Sequence, residues 1–109
     1  MSRFFPERSE CGQHAIFGTI PVRTYAGDQV QLSLVEMPPR SVIEEHSHAN
    51  EQIGMVVAGQ ATFTIGGETR LLRTGDFYFM PGGTPHRVVT DDEPLTALDV
   101  FYPIRDEYR

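Results

Sequence analysis

Short runs of β-branched and aromatic residues alternate with turn residues along the whole chain. The runs AIFGTIPVRTY, QVQLSLVEM, QIGMVVAG, QATFTI, ETRLLRT, FYFMPGG, HRVVT and LTALDVFY are punctuated by Gly27-Asp28, Pro38-Pro39, Gly66-Gly67 and Gly75-Asp76. No segment offers ten residues of helical periodicity without a Gly or Pro. The pattern therefore predicts an all-β protein with many tight turns and little or no helix. In QVQLSLVEM the alternation puts Val30, Leu32 and Leu34 on one face and Gln29, Gln31 and Ser33 on the other, as a half-buried strand does. The strongest local signal is ATFTIGGETRLL, where Gly66-Gly67 supplies the positive φ of a hairpin turn between two strands. So many short strands must close into a sandwich or barrel to bury their faces and remove exposed edges. No repeat, linker or low-complexity run interrupts the pattern, and residues 1–109 read as one domain.

Composition narrows the function classes. A chain of 109 residues has room for one hydrophobic core. Nine Arg against 15 Asp plus Glu give a formal net charge of -6, the wrong sign for gripping phosphate backbones or anionic lipid, so nucleic acid and membrane surfaces are not expected partners. There is no Lys, which excludes Schiff-base chemistry and a phosphate-loop lysine. The lone Cys11 cannot form an internal disulfide and fits a reducing compartment. The opening MSRFFPERSECGQ lacks the apolar run of a signal peptide, and no later stretch approaches membrane-spanning length, so a soluble, cytoplasmic protein is expected.

Three of the four histidines fall in two tight clusters, His46-Ser-His48-Ala-Asn-Glu51-Gln52 and Pro81-Gly-Gly-Thr-Pro-His86. On an extended strand His46 and His48 project from one face, as two imidazoles must to meet one ion. Gln52 keeps that parity, and His86 can join only from another strand, after the turn at Pro81, Gly82 and Gly83. A His-x-His pair by itself is commonly just a solvated strand. The surrounding spacing adds what the pair lacks: six residues separate Gln52 from Gly59, five separate Gly75 from Pro81, and two separate Gly83 from His86. His14, in an unpatterned region, reads as a surface or strand-edge residue.

On these residues the chain resembles the cupin superfamily, small jelly-roll β-barrels. The family's first motif, G(X)5HXH(X)3,4E(X)6G, is matched by RSVIEEHSHANEQIGMVVAG over residues 40–59. Its second, G(X)5PXG(X)2H(X)3N, is matched by GDFYFMPGGTPHRVVT over residues 75–90. The resemblance implies a single divalent transition metal held by His46, His48, Gln52 and His86. Three positions depart from the pattern: Arg40 for the opening glycine, Gln52 for the usual glutamate and Thr90 for the closing asparagine. Arg40 and Thr90 bear on turn geometry. Glu51 competes with Gln52 for the fourth ligand position, but the three-residue spacer selects Gln52 and turns Glu51 to the opposite face. Three imidazoles and an amide would leave the full 2+ charge on the ion, which suits a Lewis acid. Such donors accept zinc, nickel, iron, copper or manganese and disfavour calcium.

Asp99 interrupts the apolar run LTALDVFY, where an unpaired carboxylate would cost several kcal/mol. It shares a strand face with Phe101, and that face either looks toward the metal or carries a salt bridge to an arginine at the rim. The ending through Arg105 resembles the pectin-degradation cupins of the KdgF type, which act on uronate sugars. That likeness implies catalytic roles for Asp99 and Arg105 and substrate contacts from Phe101 and Arg105. Phe79 and Met55 would add apolar wall, whereas Arg87 points away. The expected function is isomerisation or ring opening of a small unsaturated uronate, with Arg105 on its carboxylate and Asp99 moving a proton. A metal-dependent dioxygenase or polyketide cyclase, and a non-catalytic ligand-binding cupin, are the alternatives. The N-terminal strands are expected to pair across a twofold axis in a homodimer.

Overall fold

A computed structural model describes residues 2–109 and contains nine strands with two single 3₁₀ turns, Arg8–Glu10 and Asp106–Tyr108. The strands are β1 (Gly12–Ile16), β2 (Ile20–Ala26), β3 (Gln31–Met37), β4 (Val42–His46), β5 (Glu51–Ile65), β6 (Glu68–Arg73), β7 (Phe77–Met80), β8 (His86–Val89) and β9 (Leu95–Tyr102). All pairings are antiparallel. One sheet runs β1-β2-β3-β9-β5-β7 and the other β4-β8-β5-β6, and the long β5 belongs to both. The result is an all-β jelly-roll barrel, and the hairpin expected at Gly66-Gly67 joins β5 to β6. No helix among the described residues is long and apolar enough to cross a membrane.

The sheet exchange happens at one corner. Pairing with β9 shifts register between Val56 and Ala58, and Gly59 follows at φ 83°. A Cβ at Gly59 would collide with the Pro94 carbonyl oxygen, so only glycine lets β5 turn against the start of β9. Before the corner, Gln52, Gly54 and Val56 face inward; after it, Ala61 and Phe63 do. Val22, Val35, Met37, Ile43, Val56 and Phe63 are among the side chains that close the apolar end of the barrel.

The alternation in β3 is present, but its buried face is the more polar one. Gln31 is 1% exposed and Ser33 5%, sharing the interior with Val35 and Met37, while Leu32 is 45% exposed on the outside. The interior is polar there because β3 borders a cavity rather than solid core. Gln31 accepts from the Arg105 backbone N–H (2.9 Å) and donates to the Tyr108 carbonyl (3.0 Å), fastening the C-terminal tail to the barrel. The outer face consequently carries two apolar rows across four strands: Leu32, Val100, Ile53 and Phe79, then Leu34, Leu98, Met55 and Phe77.

Two of the motif departures sit in one stitched turn. Arg40 has φ 52°, the left-handed region that explains a glycine there in relatives of this pattern. Thr90 is 2% exposed; its hydroxyl donates to the Pro38 carbonyl (2.7 Å) and accepts from the Ser41 N–H (2.9 Å). Arg40→Gly should therefore leave stability unchanged or raise it by up to ~1 kcal/mol. Thr90→Val, which strands both partners, should cost ~1–3 kcal/mol. Urea unfolding of the metal-free protein checks the pair, and a larger loss for Arg40→Gly than for Thr90→Val would contradict this account of the turn.

Candidate metal centre

Four expected ligands arrive from three strands and a link. His46 ends β4, His48 lies in the link 47–50, Gln52 is the second residue of β5 and His86 opens β8. The simple parity expected from 46 through 52 on one strand does not hold: β4 shifts register between Ile43 and His46, and the chain leaves the strand before His48. Convergence comes instead from pairing and stitching. His46 is the direct cross-strand partner of His86. The Gly83 N–H (φ 80°) donates to the His48 carbonyl at 2.8 Å, tying the two motif loops together.

Each imidazole is locked through Nδ1. His46 Nδ1 lies 2.8 Å from the Glu44 carbonyl, His48 Nδ1 3.0 Å from that of Asn50, and His86 Nδ1 2.9 Å from that of Thr84. A carbonyl only accepts, so each Nδ1 must carry the hydrogen and each neutral ring turns its Nε2 lone pair inward. The candidate ligand atoms of the three rings lie within 4.8 Å of one another, with His46 Nε2 and His86 Nε2 at 3.1 Å. Gln52 Oε1 adds a fourth acceptor 3.1 Å from His48 Nε2. Four acceptors facing each other lack a donor, and a divalent cation fits them. Two of the rings are also biased toward the neutral form: burial, foremost, lowers His86 to about 4, and burial followed by the Arg105 charge lowers His48.

A cavity of about 170 Å³ adjoins this cluster, with His46, Gln52, His86, Tyr78, Asp99 and Arg105 at its polar end. Asp99 is 4% exposed and shares the interior with Phe101, 6% exposed. The salt bridge to an arginine is not formed: the Tyr78 hydroxyl donates to its Oδ1 at 2.5 Å. Burial raises the Asp99 carboxyl to about 6, against the lowering effect of hydrogen bonds from Tyr78 and Gln52. The Arg105 guanidinium lies over Phe101 (5.3 Å) and Tyr108 (4.6 Å), and its buried Nε–H has no hydrogen-bond partner.

Two expected wall residues lie elsewhere. Phe79 is 52% exposed, and Met55, two pairs along β5 from Phe79's partner Ile53, shares its orientation; both belong to the outer apolar rows. The physical reason is strand parity, since Gln52, Gly54 and Val56 take the inward positions of β5. Glu51 is exposed opposite Tyr102, and Arg87 is exposed as well. His14 sits on edge strand β1, against the Tyr108 ring and 3.2 Å from the Arg109 carbonyl. Sequence reasoning missed Tyr78, masked inside FYFMPGG, and the Gln31 fastening of the tail. It also missed Phe17, at the tip of the β1–β2 hairpin, whose ring stands 5.3 Å from that of His46.

This barrel and histidine set define the class of protein. Residues 33–101 match the cupin domain family, and the chain belongs to it. Within that family it is KdgF-like. It is 32% identical over 82 residues to the pectin degradation protein KdgF of Dickeya dadantii, a match covering 74% of each chain. The structure of KdgF from Halomonas sp. superposes with a TM-score of 0.82 at 28% identity, covering 94% of this chain and 96% of that one. The chain is also 37% identical over 75 residues to dimethylsulfoniopropionate lyase DddQ of Ruegeria pomeroyi, across 68% of this chain but only 37% of that protein's length.

His86 and Asp99 act on stability with opposite signs. His86 binds its proton less tightly folded (about 4) than unfolded (6.5), so the metal-free protein loses stability as pH falls across that window. Asp99 binds its proton more tightly folded (about 6) than unfolded (3.8), and so adds stability as pH falls from about 6. Asp99→Asn deletes the second contribution only. Between pH 7 and pH 4 the variant should lose more stability than wild type, by on the order of 2 kcal/mol in urea unfolding; parallel curves would contradict the buried-carboxyl account.

Proposed function

We propose that the chain is a mononuclear divalent-metal enzyme that isomerises or opens the ring of a small unsaturated uronate. The observation that carries this reading is the Arg105 guanidinium on the wall of the cavity beside the imidazole cluster, its buried Nε–H making no hydrogen bond and only a 3.4 Å ion pair with the exposed Glu107. A guanidinium so placed suits a substrate carboxylate, through two parallel charge-assisted hydrogen bonds. Similarity to the pectin degradation protein KdgF supports an acidic sugar as that carboxylate's source. A zinc, nickel, iron or manganese ion on His46, His48, Gln52 and His86 would supply Lewis acidity at the polar end of the cavity.

The protein's own groups divide the remaining work. Arg105 orients the carboxylate, Phe101 presents apolar wall, and Asp99 takes a proton from one position of the substrate and returns it to another. A net isomerisation results, needing no co-reactant. A carboxyl near 6 is well matched to such transfer at neutral pH. Similarity to the lyase DddQ favours a second reading, elimination from a small carboxylate, which would use the same arginine and the same proton acceptor. A cytoplasmic location belongs to this reading and is supported by the lone Cys11.

Loss of ultraviolet absorbance by an unsaturated uronate tests the proposal. The metal-loaded protein should accelerate it; Asp99→Asn should lower kcat by ~10²-fold or more, and Arg105→Met should chiefly raise KM. No acceleration over the uncatalysed reaction sinks the uronate reading, and dependence on dioxygen would transfer the protein to oxidative chemistry.

A homodimer is part of the same proposal, but the outer apolar rows support it better than the N-terminal strands. Ile53 at 50%, Phe79 at 52% and Phe77 at 77% exposure form a continuous patch without a charge. Sheet faces of this kind pack on a second copy about a twofold axis. Light scattering should report a dimer for wild type and a monomer for Ile53→Arg/Phe79→Glu; a monomeric wild type rules the dimer out.

A further inference from the structure

Gln52, Gly54, Tyr78 and Asp99 form a buried unit whose parts explain one another. Gly54 is the direct cross-strand neighbour of Asp99 on β9 and of Tyr78 on β7. Its φ is ordinary, so conformational freedom is not the reason for a glycine. A Cβ there would collide with Asp99 Oδ1 and with the Tyr78 ring and hydroxyl. The bare position lets the two side chains meet across β5, where the hydroxyl donates to Oδ1 at 2.5 Å. Gln52 lies two positions before Gly54 on the same inward face of β5, which brings its side-chain amide beside the same Asp99 group on the cavity wall. A carboxylate offers only acceptors, so Gln52 must present its NH₂ to Asp99 and its Oε1 to the other side, 3.1 Å from His48 Nε2.

We infer that Asp99, held by Tyr78 across Gly54, is the positioning residue that aims the Gln52 amide oxygen at the metal site and selects glutamine over glutamate at position 52. A glutamate would set two carboxylates side by side with no donor between them. Here the negative charge stands one residue behind the ligand, and the ligand itself stays neutral. This inference rests on the metal reading and is independent of the uronate substrate.

A Co²⁺ titration, followed by the visible absorption of the bound ion, tests it without any catalytic assay. Asp99→Asn in the wild-type background frees the amide to turn over, and Co²⁺ affinity should fall ~10-fold or more, as for other groups that orient ligands. In a Gln52→Glu background the sign should reverse: Gln52→Glu/Asp99→Asn gives the new carboxylate an amide donor and should bind Co²⁺ more tightly than Gln52→Glu alone. Tyr78→Phe, which removes one hydroxyl and keeps the ring, should weaken Co²⁺ binding ~3-fold or more and broaden the cobalt bands. The same fold-change for Asp99→Asn in both backgrounds overturns the inference. Should the Asp99 variants fail to fold, unchanged Co²⁺ affinity in Tyr78→Phe overturns it equally. A wild type that binds cobalt but leaves the uronate untouched would defeat the proposed reaction alone.

Discussion

Three short contacts between imidazole Nδ1 and backbone carbonyls govern the chemistry of this barrel. Because Glu44, Asn50 and Thr84 offer only acceptors, the tautomer of each ring is decided by the chain before any ligand arrives. Three lone pairs then point at one volume. Repulsion among them is tolerable only because β4, β8 and the 47–50 link are held together independently, by the His46–His86 strand pair and the Gly83-to-His48 hydrogen bond. The fold thus holds open an arrangement that a cation would relieve, which is how a preformed site would gain affinity without ordering its ligands on binding.

That arrangement depends on β5 serving two sheets. A straight strand of 15 residues would leave the barrel open, since its two halves must face β9 and β8. The register shift after Val56 and the bare Gly59 supply the bend, and Gln52 and Phe63 both come to face the lumen from opposite sides of it. Gly59 is therefore as much a site residue as a fold residue, though it touches nothing that a ligand would touch.

The histidines, Gly59, Gly75 and Gly83 were legible in the sequence because each answers a requirement of spacing that side-chain type alone satisfies: a ligand, or a positive φ. What escaped was residue orientation at the polar end of the lumen. Reading β3 by hydropathy puts Leu32 inside and Gln31 outside, a rule that holds for a solid core and reverses where a strand borders a cavity with a tail to fasten. Met55 and Phe79 mislead for the same reason, since apolar character on the outer face of this sheet is as strong as on the inner. Tyr78 was hidden because its role needs three strands: its own, the strand carrying Gly54 and the strand carrying Asp99. No local pattern reports a contact of that kind.

The distribution of charge in the cavity bears directly on the proposed ligand. Asp99 is buried with two uncharged partners, Tyr78 and Gln52, while Arg105 lines the same cavity with a buried N–H unsatisfied. Two opposite charges lining one cavity ordinarily pair, because the attraction between them grows as the dielectric falls. Among the described residues these two make no ion pair; Arg105 is instead held back over Phe101 and Tyr108, with its Nε 3.4 Å from the exposed Glu107. Gln31 enforces that separation by fixing the Arg105 backbone from inside the barrel. The cavity accordingly keeps a cation and an anion apart beside four convergent lone pairs. On the proposed reading, a metal ion with a small carboxylate would satisfy the lone pairs and the arginine together and would leave Asp99 free to exchange a proton; a neutral apolar ligand would satisfy none of them.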